Sequence, residues 1–251
     1  MKKKERNNEE ITKKKVALWP IIKTSFIDIY DNLGWVLFMS AIWFGFVTPF
    51  LFAIFPGNLS IPLRIILGSS IIALGPATAG CYYIANKLVK KDYFVEWKDF
   101  FYAFKKFFWR ATALMLILAA AILVLAANFI FYSHIQNTVM RILSILWLYV
   151  IIFLGIMQTY MFPLLVEQDT GIRKIIKRSF LLTIDNIGIT LVIFLIVTAL
   201  SIICILTGVG ALLLMMGMKS LFDTRTFLTV MEKYEDVPDS QSSSISQSHS
   251  H

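Results

Sequence analysis

The chain has 251 residues, 57% of them hydrophobic, with a mean hydropathy of +0.70 and a formal net charge of +8. An ordinary soluble domain is about 45–50% apolar. Here the excess lies in long runs without charges, which excludes a soluble globular domain and predicts membrane spans. No RNP, zinc-finger or helix-turn-helix pattern accompanies the basic residues, so we expect no nucleic-acid partner.

Composition divides the chain into three regions. Residues 1–20 form a basic segment that we expect in the cytoplasm. The segment is too long for a signal-peptide n-region and no cleavage site follows the first apolar block, so we expect that block to be a retained membrane anchor. Residues 21–234 form the predicted transmembrane domain. Residues 235–251 form a Ser/His-rich tail that is predicted to be disordered. Its histidines, His249 and His251, lack a third ligand, so we expect no metal there.

The transmembrane domain is predicted to be all-α with six transmembrane helices. Five apolar blocks are long enough to span a bilayer: Leu33–Phe55, Ile61–Ile84, Ala111–Tyr132, Ile142–Val166 and Ile187–Leu206. A sixth block, Val209–Phe222, is shorter and follows a predicted glycine turn. We separate it from the fifth block because residues 187–218 are too long for one span at 1.5 Å per residue.

The basic residues predict how the chain is threaded. Of the 24 Lys and Arg residues, 22 fall on one side of the predicted spans, and only Arg64 and Arg141 fall on the other. By the positive-inside rule, the side rich in basic residues is cytoplasmic. Both termini are then cytoplasmic, provided that the sixth block crosses the membrane.

A basic amphipathic interfacial helix is predicted before each outward span. In the second of these helices an aromatic stripe at helical spacing has lysines beside it, and we call this stripe the interfacial belt: Trp97, Phe100, Phe101, Phe104 and Phe108. Residues 19–30 and 171–180 have the same character. The belt is expected to lie in the membrane interface or to dock a partner protein, and both alternatives remain open.

Two of these helices are similar in sequence. "SFIDIYDNLG" (Ser25–Gly34) and "SFLLTIDNIG" (Ser179–Gly188) align without a gap, and Phe104 takes the place of Phe26 and Phe180 in a middle unit. We therefore expect three units, each an interfacial helix followed by a two-helix hairpin. Chance similarity between two span entrances is the alternative.

The predicted spans contain little chemistry. No acidic residue lies inside them, and no metal-ligand spacing or nucleophile motif is present, so we expect no catalytic, cofactor or metal site and no enzyme activity. Asn128 and Gln158 are predicted to form interhelical hydrogen bonds, with ligand contact as the alternative. His134 is expected at the surface. Cys81 and Cys204 lie at opposite depths and are predicted to stay free.

The stretch "IIALGPATAGCYY" (residues 71–83) places a proline inside an apolar block. Proline suits the first turn of a helix, so we predict a break at Pro76 and a short second helix toward Leu88. The small residues around it predict a helix-packing motif, formed by Gly75, Pro76, Ala79 and Gly80. A half-helix N-terminus that binds an anionic ligand is the alternative.

Three segments resemble one known family: "LGPATAGCYYIANKLVKKDYFVEWKDFFYAFKKFFWRA", "YMFPLLVEQD" and "TRTFLTVMEKY". They are similar to the YesL-like family of small bacterial integral membrane proteins, a domain of unknown function. The resemblance implies the bacterial plasma membrane and gene neighbourhood with carbohydrate uptake systems. It provides no binding residues.

Two functions are compatible with these features. The first is a non-enzymatic accessory or scaffold protein linked to carbohydrate uptake by an ABC transporter, with the lipid bilayer and a membrane permease or a second copy as partners. The second is a small-solute channel or facilitator that acts on its own, which requires convergent polar groups along a pathway.

Overall fold

The computed structural model describes residues 18–55, 60–92, 94–135 and 137–235, and the regular structure in these ranges is entirely helical. The predicted all-α class is therefore confirmed for them. Most of the basic N-terminal segment and nearly all of the Ser/His-rich tail lie outside the described residues.

The helices follow one another with short connections. Their bounds are α1 Leu18–Asp31, α2 Leu33–Ile54, α3 Ile61–Gly68, α4 Ile71–Val89, α5 Trp97–Lys106, α6 Phe108–His134, α7 Thr138–Gln168, α8 Ile172–Asp185, α9 Ile187–Thr207, α10 Val209–Leu213 and α11 Met215–Glu235.

Five segments are long and apolar enough to cross a membrane: Leu33–Ile54, Ile61–Val89, Phe108–His134, Ile142–Gln168 and Ile187–Thr207. They coincide with the five predicted blocks and give the chain the character of a multi-pass membrane protein. The sixth predicted block is not among them. It is divided between α10 and the first part of α11, and α11 continues beyond Phe222 with charged residues.

Three helices form the centre of the bundle. α4, α7 and α11 pack against one another. Their contacts bury large aromatic side chains, so that Tyr82, Phe162 and Phe222 are each at most 1% exposed. These three helices therefore contribute much of the core.

The other helices surround this centre in a cyclic order. α1 and α2 pack against α11, α5 and α6 against α4, and α8 and α9 against α7. Each long outer helix also packs along the central helix that follows it in the chain. As a result, α1 at the start of the described chain contacts α11 at its end.

A single residue joins each of three short helices, α1, α5 and α8, to the long helix that follows it. These junction residues are Asn32, Phe107 and Asn186, with φ/ψ of −116°/31°, −96°/6° and −126°/33°. In all three cases the amide four residues later donates to the carbonyl of the junction residue at 2.8–3.0 Å. The three short helices therefore enter their long helices with similar local geometry.

The junctions align the short helices in a different register from the predicted one. The seventh residue before each junction has no exposed surface, and these residues are Ser25, Phe100 and Ser179. The sixth is a half-exposed phenylalanine, namely Phe26 (46%), Phe101 (46%) and Phe180 (45%). The middle equivalent is thus Phe101, and the prediction of Phe104 is wrong. Both Phe101 and Phe104 are phenylalanines, so the residue type alone could not show which of them corresponds to Phe26 and Phe180.

Candidate functional site

The predicted helix-packing motif lies where α4 meets α5 and α6. All four of its residues, Gly75, Pro76, Ala79 and Gly80, are buried. A β-carbon placed on Gly75 would lie 2.6 Å from the carbonyl oxygen of Ala111. Only glycine allows two helix backbones to approach so closely.

The predicted break at Pro76 is wrong, because α4 continues through this residue. The break lies earlier, between α3 and α4. There the hydroxyls of Ser69 and Ser70 donate at 2.7 Å to carbonyls of the last turn of α3. Since no helix begins at Pro76, the alternative of an anion site at a half-helix N-terminus is also wrong.

A neighbouring helix satisfies the carbonyl that Pro76 leaves without its usual donor. Proline lacks an N–H, so the carbonyl four residues earlier, that of Ile72, receives no intrahelical bond from it. The hydroxyl of Thr112 on α6 donates to this carbonyl at 3.0 Å. The close approach at Gly75 thus brings the donor within reach and removes part of the cost of the proline.

The interfacial belt divides between the bundle and the surface. Phe100 is fully buried, and a β-carbon placed on Gly80 would lie 2.7 Å from its ring. Phe104 is half-buried and stacks on Phe46 of α2, with ring centroids 5.5 Å apart. The members that remain largely exposed are Trp97 (57%) and Phe101 (46%). Part of the belt therefore attaches α5 to the other helices.

A buried polar cluster lies between α4 and α11, formed by Tyr82, Lys219 and Asp223. The Tyr82 hydroxyl donates to Asp223 Oδ2 at 2.5 Å, and Lys219 Nζ donates to the same oxygen at 2.7 Å. Asp223 is only 1% exposed, and its other oxygen, Oδ1, has no hydrogen-bond partner in the described part of the chain. The cluster combines a charge-assisted hydrogen bond with an ion pair whose carboxylate is buried and whose lysine is partly exposed.

The polar cluster contains a buried acidic residue that lies just beyond the last predicted span. The predicted sixth block ends at Phe222, which leaves Asp223 outside it. Instead, α11 continues through Asp223 and directs the carboxylate into the bundle. The four-residue spacing of Lys219 and Asp223 is the sequence signal that could have revealed the pair, since it places both on one helix face.

A cleft of about 440 Å³ opens where the C-terminal ends of the three central helices meet. Val89 and Lys90 of α4, Glu167 and Gln168 of α7, and α11 residues within the range 225–232 line it. This volume is within the range of ligand-binding clefts.

Ion pairs join the walls of the cleft. Glu167 accepts hydrogen bonds from Lys90 at 2.7 Å and from Asn86 at 2.9 Å. Arg225 donates to Asp28 of α1 at 2.5 Å. Lys90, Glu167 and Arg225 are therefore held in place by their partners, while Leu228 adds apolar surface to the α11 wall.

An aromatic pair joins α4 and α7 in the buried core. The rings of Tyr82 and Phe162 stack with centroids 5.5 Å apart and 9° between their planes. Neither residue lines the cleft, whose walls lie closer to the C-terminal ends of these helices. The stack therefore belongs to the packed core of the bundle.

A second groove, of about 340 Å³, adjoins the cleft and shares Gln168 and Met231 with it. At its edge, Asn186 donates to the Tyr234 hydroxyl at 3.0 Å, and that hydroxyl donates to Asp185 at 3.4 Å. Partial burial raises the pKa of Tyr234 above its ordinary value, so the phenol keeps its proton at neutral pH. These bonds connect the end of α11 to the junction before α9.

The remaining residues singled out from the sequence lie apart from the cleft. The interhelical bond predicted for Asn128 is wrong, because its amide donates to the Val124 carbonyl in the same helix at 2.8 Å. His134 is exposed at the end of α6, as predicted. Cys81 and Cys204 are free and buried, which confirms the prediction for both. Within the described ranges, no group of three His, Cys, Asp or Glu side chains could hold a metal ion.

Comparison with known proteins gives a family match for part of the chain. Residues 29–129 match the sequence model of a family described as a protein of unknown function, DUF624. This range includes the helix-packing motif and the interfacial belt, and the match is consistent with the YesL-like resemblance. No curated protein and no solved structure matches the chain.

The contact between Gly80 and Phe100 can be tested by exchanging large and small residues. Gly80→Phe is expected to lower the melting temperature in detergent, because overpacking costs about 1–3 kcal/mol. Adding Phe100→Ser should recover much of that loss, since the equivalent residues of α1 and α8 are serines. Phe100→Ser alone is the control and should destabilise by leaving a cavity. A double variant no more stable than Gly80→Phe would contradict the assigned register.

The polar cluster leads to a second stability prediction. Asp223→Leu leaves the Lys219 ammonium and the Tyr82 hydroxyl without their acceptor, and breaking a buried pair costs about 3–5 kcal/mol. We expect the lower end of that range, because the Lys219 side chain is 23% exposed. Adding Lys219→Met should raise the melting temperature again, since it removes the unpaired charge. Equal melting temperatures for the single variant and the wild type would show that the pair does not form.

Proposed function

We propose that this chain is a non-enzymatic accessory or scaffold protein of the bacterial plasma membrane, which binds a partner at its cytoplasmic end and moves no solute alone. The observation that supports this most directly is the packed interior, in which the rings of Tyr82 and Phe162 stack and are each at most 1% exposed. In addition, the gap between α9 and α11 beside Lys219 is too narrow for a water molecule. A packed interior of this kind is more typical of a binding protein than of a channel with a solute pathway.

The proposal includes a threading of six crossings, as three hairpins each preceded by a short interfacial helix. The bond from Asn186 to Tyr234 holds the end of α11 beside the start of α9, and the Lys90–Glu167 pair holds the ends of α4 and α7 together. Basic residues predict that these ends are cytoplasmic. In this threading α10 and α11 together make the sixth crossing, and both termini are cytoplasmic.

The cleft is the proposed partner site. Its opening combines paired charges, such as Lys90 and Glu167, with apolar side chains of α11, such as Leu228 and Met231. A polypeptide segment with an apolar side chain between polar groups would match this distribution, because interfaces commonly surround an apolar centre with a polar rim. The family resemblance suggests the permease of a carbohydrate ABC transporter as that polypeptide.

A solute facilitator is the second candidate, and the polar cluster is the observation that favours it. Ionisable residues within a membrane bundle commonly mark solute or ion pathways. Lys219 and Asp223 form such a pair, and Tyr82 connects it to the aromatic stack below the cleft. In this alternative, movement of Tyr82 would open the interior.

Transport by the purified protein distinguishes the two candidates. In liposomes that contain the protein, we expect no uptake of labelled sugars above that of protein-free liposomes, because the core around the Tyr82–Phe162 stack is packed. Saturable uptake that Asp223→Asn abolishes would overturn the accessory proposal and favour the facilitator. The melting temperature of Asp223→Asn in detergent should be measured beside it, so that loss of folding is not taken for loss of transport.

Partner binding is tested with variants of the cleft and of the belt. Co-purification with a co-expressed sugar permease from the same genome should be lost in Leu228→Arg combined with Glu232→Arg. Side chains central to an interface commonly contribute 2 kcal/mol or more, a loss of about thirtyfold in affinity. Trp97→Ala with Phe101→Ala is the matched control on the belt and should retain the permease. Loss in the belt variant alone, with unchanged melting temperatures, would move the partner site from the cleft to α5.

A further inference from the structure

The three short helices share a five-residue pattern at the same distance from their junctions. It reads KTSFI in α1 (Lys23–Ile27), KDFFY in α5 (Lys98–Tyr102) and KRSFL in α8 (Lys177–Leu181). In each helix a lysine stands nine residues before the junction, and a phenylalanine followed by an apolar or aromatic residue stands six and five residues before it. We call these segments the KxxF segments.

Burial alternates in the same way in all three KxxF segments. The third residue has no exposed surface, so it attaches the helix to the bundle. The lysine is exposed in each segment, and the last two residues are between 45% and 56% exposed. A lysine and a phenylalanine three residues apart lie on neighbouring parts of one helix face. Each segment therefore presents a cation next to apolar surface on its outer side.

The segments lie on different sides of the bundle. α1 packs against α11, α5 against α4 and α8 against α7, and these three helices form the centre. A single protein partner would contact one side, whereas lipid surrounds a membrane protein. Because the same KxxF surface is repeated on different sides of the bundle, lipid is the favoured ligand of these segments.

The positive charge of the lysines in the segments indicates that the lipid has an anionic headgroup. Each segment carries one exposed lysine, namely Lys23, Lys98 or Lys177, and Arg178 follows the last of these. Glu96 lies 3.9 Å from Lys98, but both side chains are more than 60% exposed, so this pair is weak. A cation beside apolar surface is complementary to a phosphate above acyl chains.

We propose that the three KxxF segments are equivalent binding sites for the headgroups of anionic phospholipids of the inner leaflet. The lysine binds the lipid phosphate, and the phenylalanine with its apolar neighbour inserts beneath it. The three sites hold the bundle at a fixed depth. This inference rests on the proposed threading, in which the short helices lie at the cytoplasmic interface.

The first measurement is the depth of the segments. Spin labels at Phe26→Cys, Phe101→Cys and Phe180→Cys, in full-length protein with Cys81 and Cys204 replaced by alanine, are examined in nanodiscs that contain phosphatidylglycerol. All three labels should be accessible to oxygen and protected from a water-soluble nickel complex, at one common depth. Access of the nickel complex to any of the three would overturn the proposal.

The second measurement is selectivity for anionic lipid. The variant Lys23→Gln/Lys98→Gln/Lys177→Gln is compared with Lys91→Gln/Lys105→Gln/Lys174→Gln, which removes the same charge from exposed lysines outside the KxxF segments. A basic residue near an anionic membrane contributes about 1 kcal/mol, or about fivefold in affinity. Replacing the three KxxF lysines should lower the binding of phosphatidylglycerol, relative to phosphatidylcholine, at least fivefold more than replacing the controls.

Equal losses in the two triple variants would overturn the proposal and show general attraction by surface charge. Loss of permease co-purification in the KxxF variant, with lipid binding unchanged, would assign the segments to a protein partner instead. Neither measurement depends on sugar uptake or on the cleft. Failure of the lipid proposal is therefore distinguishable from failure of the proposed function.

Discussion

Close approach of helix backbones is the constraint on which the rest of the bundle depends. At Gly75 and Gly217 a β-carbon would overlap the backbone of the adjacent long helix, at Ala111 and Val36 respectively. This proximity lets hydrogen bonds pass between helices, as when the amide of Gly217 donates to the Ser40 hydroxyl at 2.8 Å. In lipid, apolar surfaces gain little by meeting one another, so tight packing and such bonds hold helices together. The cyclic order of the outer helices is built on these contacts.

The apolar helices were predictable, because a run of about 20 apolar residues has few alternatives to a membrane span. The continuity of α4 through Pro76 was not, since the bond that replaces the missing donor comes from Thr112, which is 40 residues beyond the acceptor in sequence. The register of α5 was missed because phenylalanine stands at both Phe101 and Phe104. The position of Lys98, nine residues before the junction like its counterparts in the other short helices, would have distinguished them.

The candidate site was less predictable than the fold, because it depends on contacts between distant segments. Lys219 and Asp223 are visible as a helical pair, but Tyr82 lies 141 residues from Asp223. The cleft likewise requires three helix ends to meet. A buried ion pair is expensive to desolvate, so its presence suggests a role in orienting α11 against α4 or in function. The family match does not distinguish between these two roles, since the family is described as a protein of unknown function.

The closed cycle of helices has a consequence for biosynthesis. Asp28 and Arg225, which join the first described helix to the last, are separated by 197 residues. At about 5–20 residues per second, the ribosome needs about 10 to 40 s to make the interval between them. Throughout that time α1 has no α11 to pack against, and its apolar face, including Ile21, is available to the insertion machinery and to proteases. Chains that stop short of α11 never complete the ring and remain open to degradation.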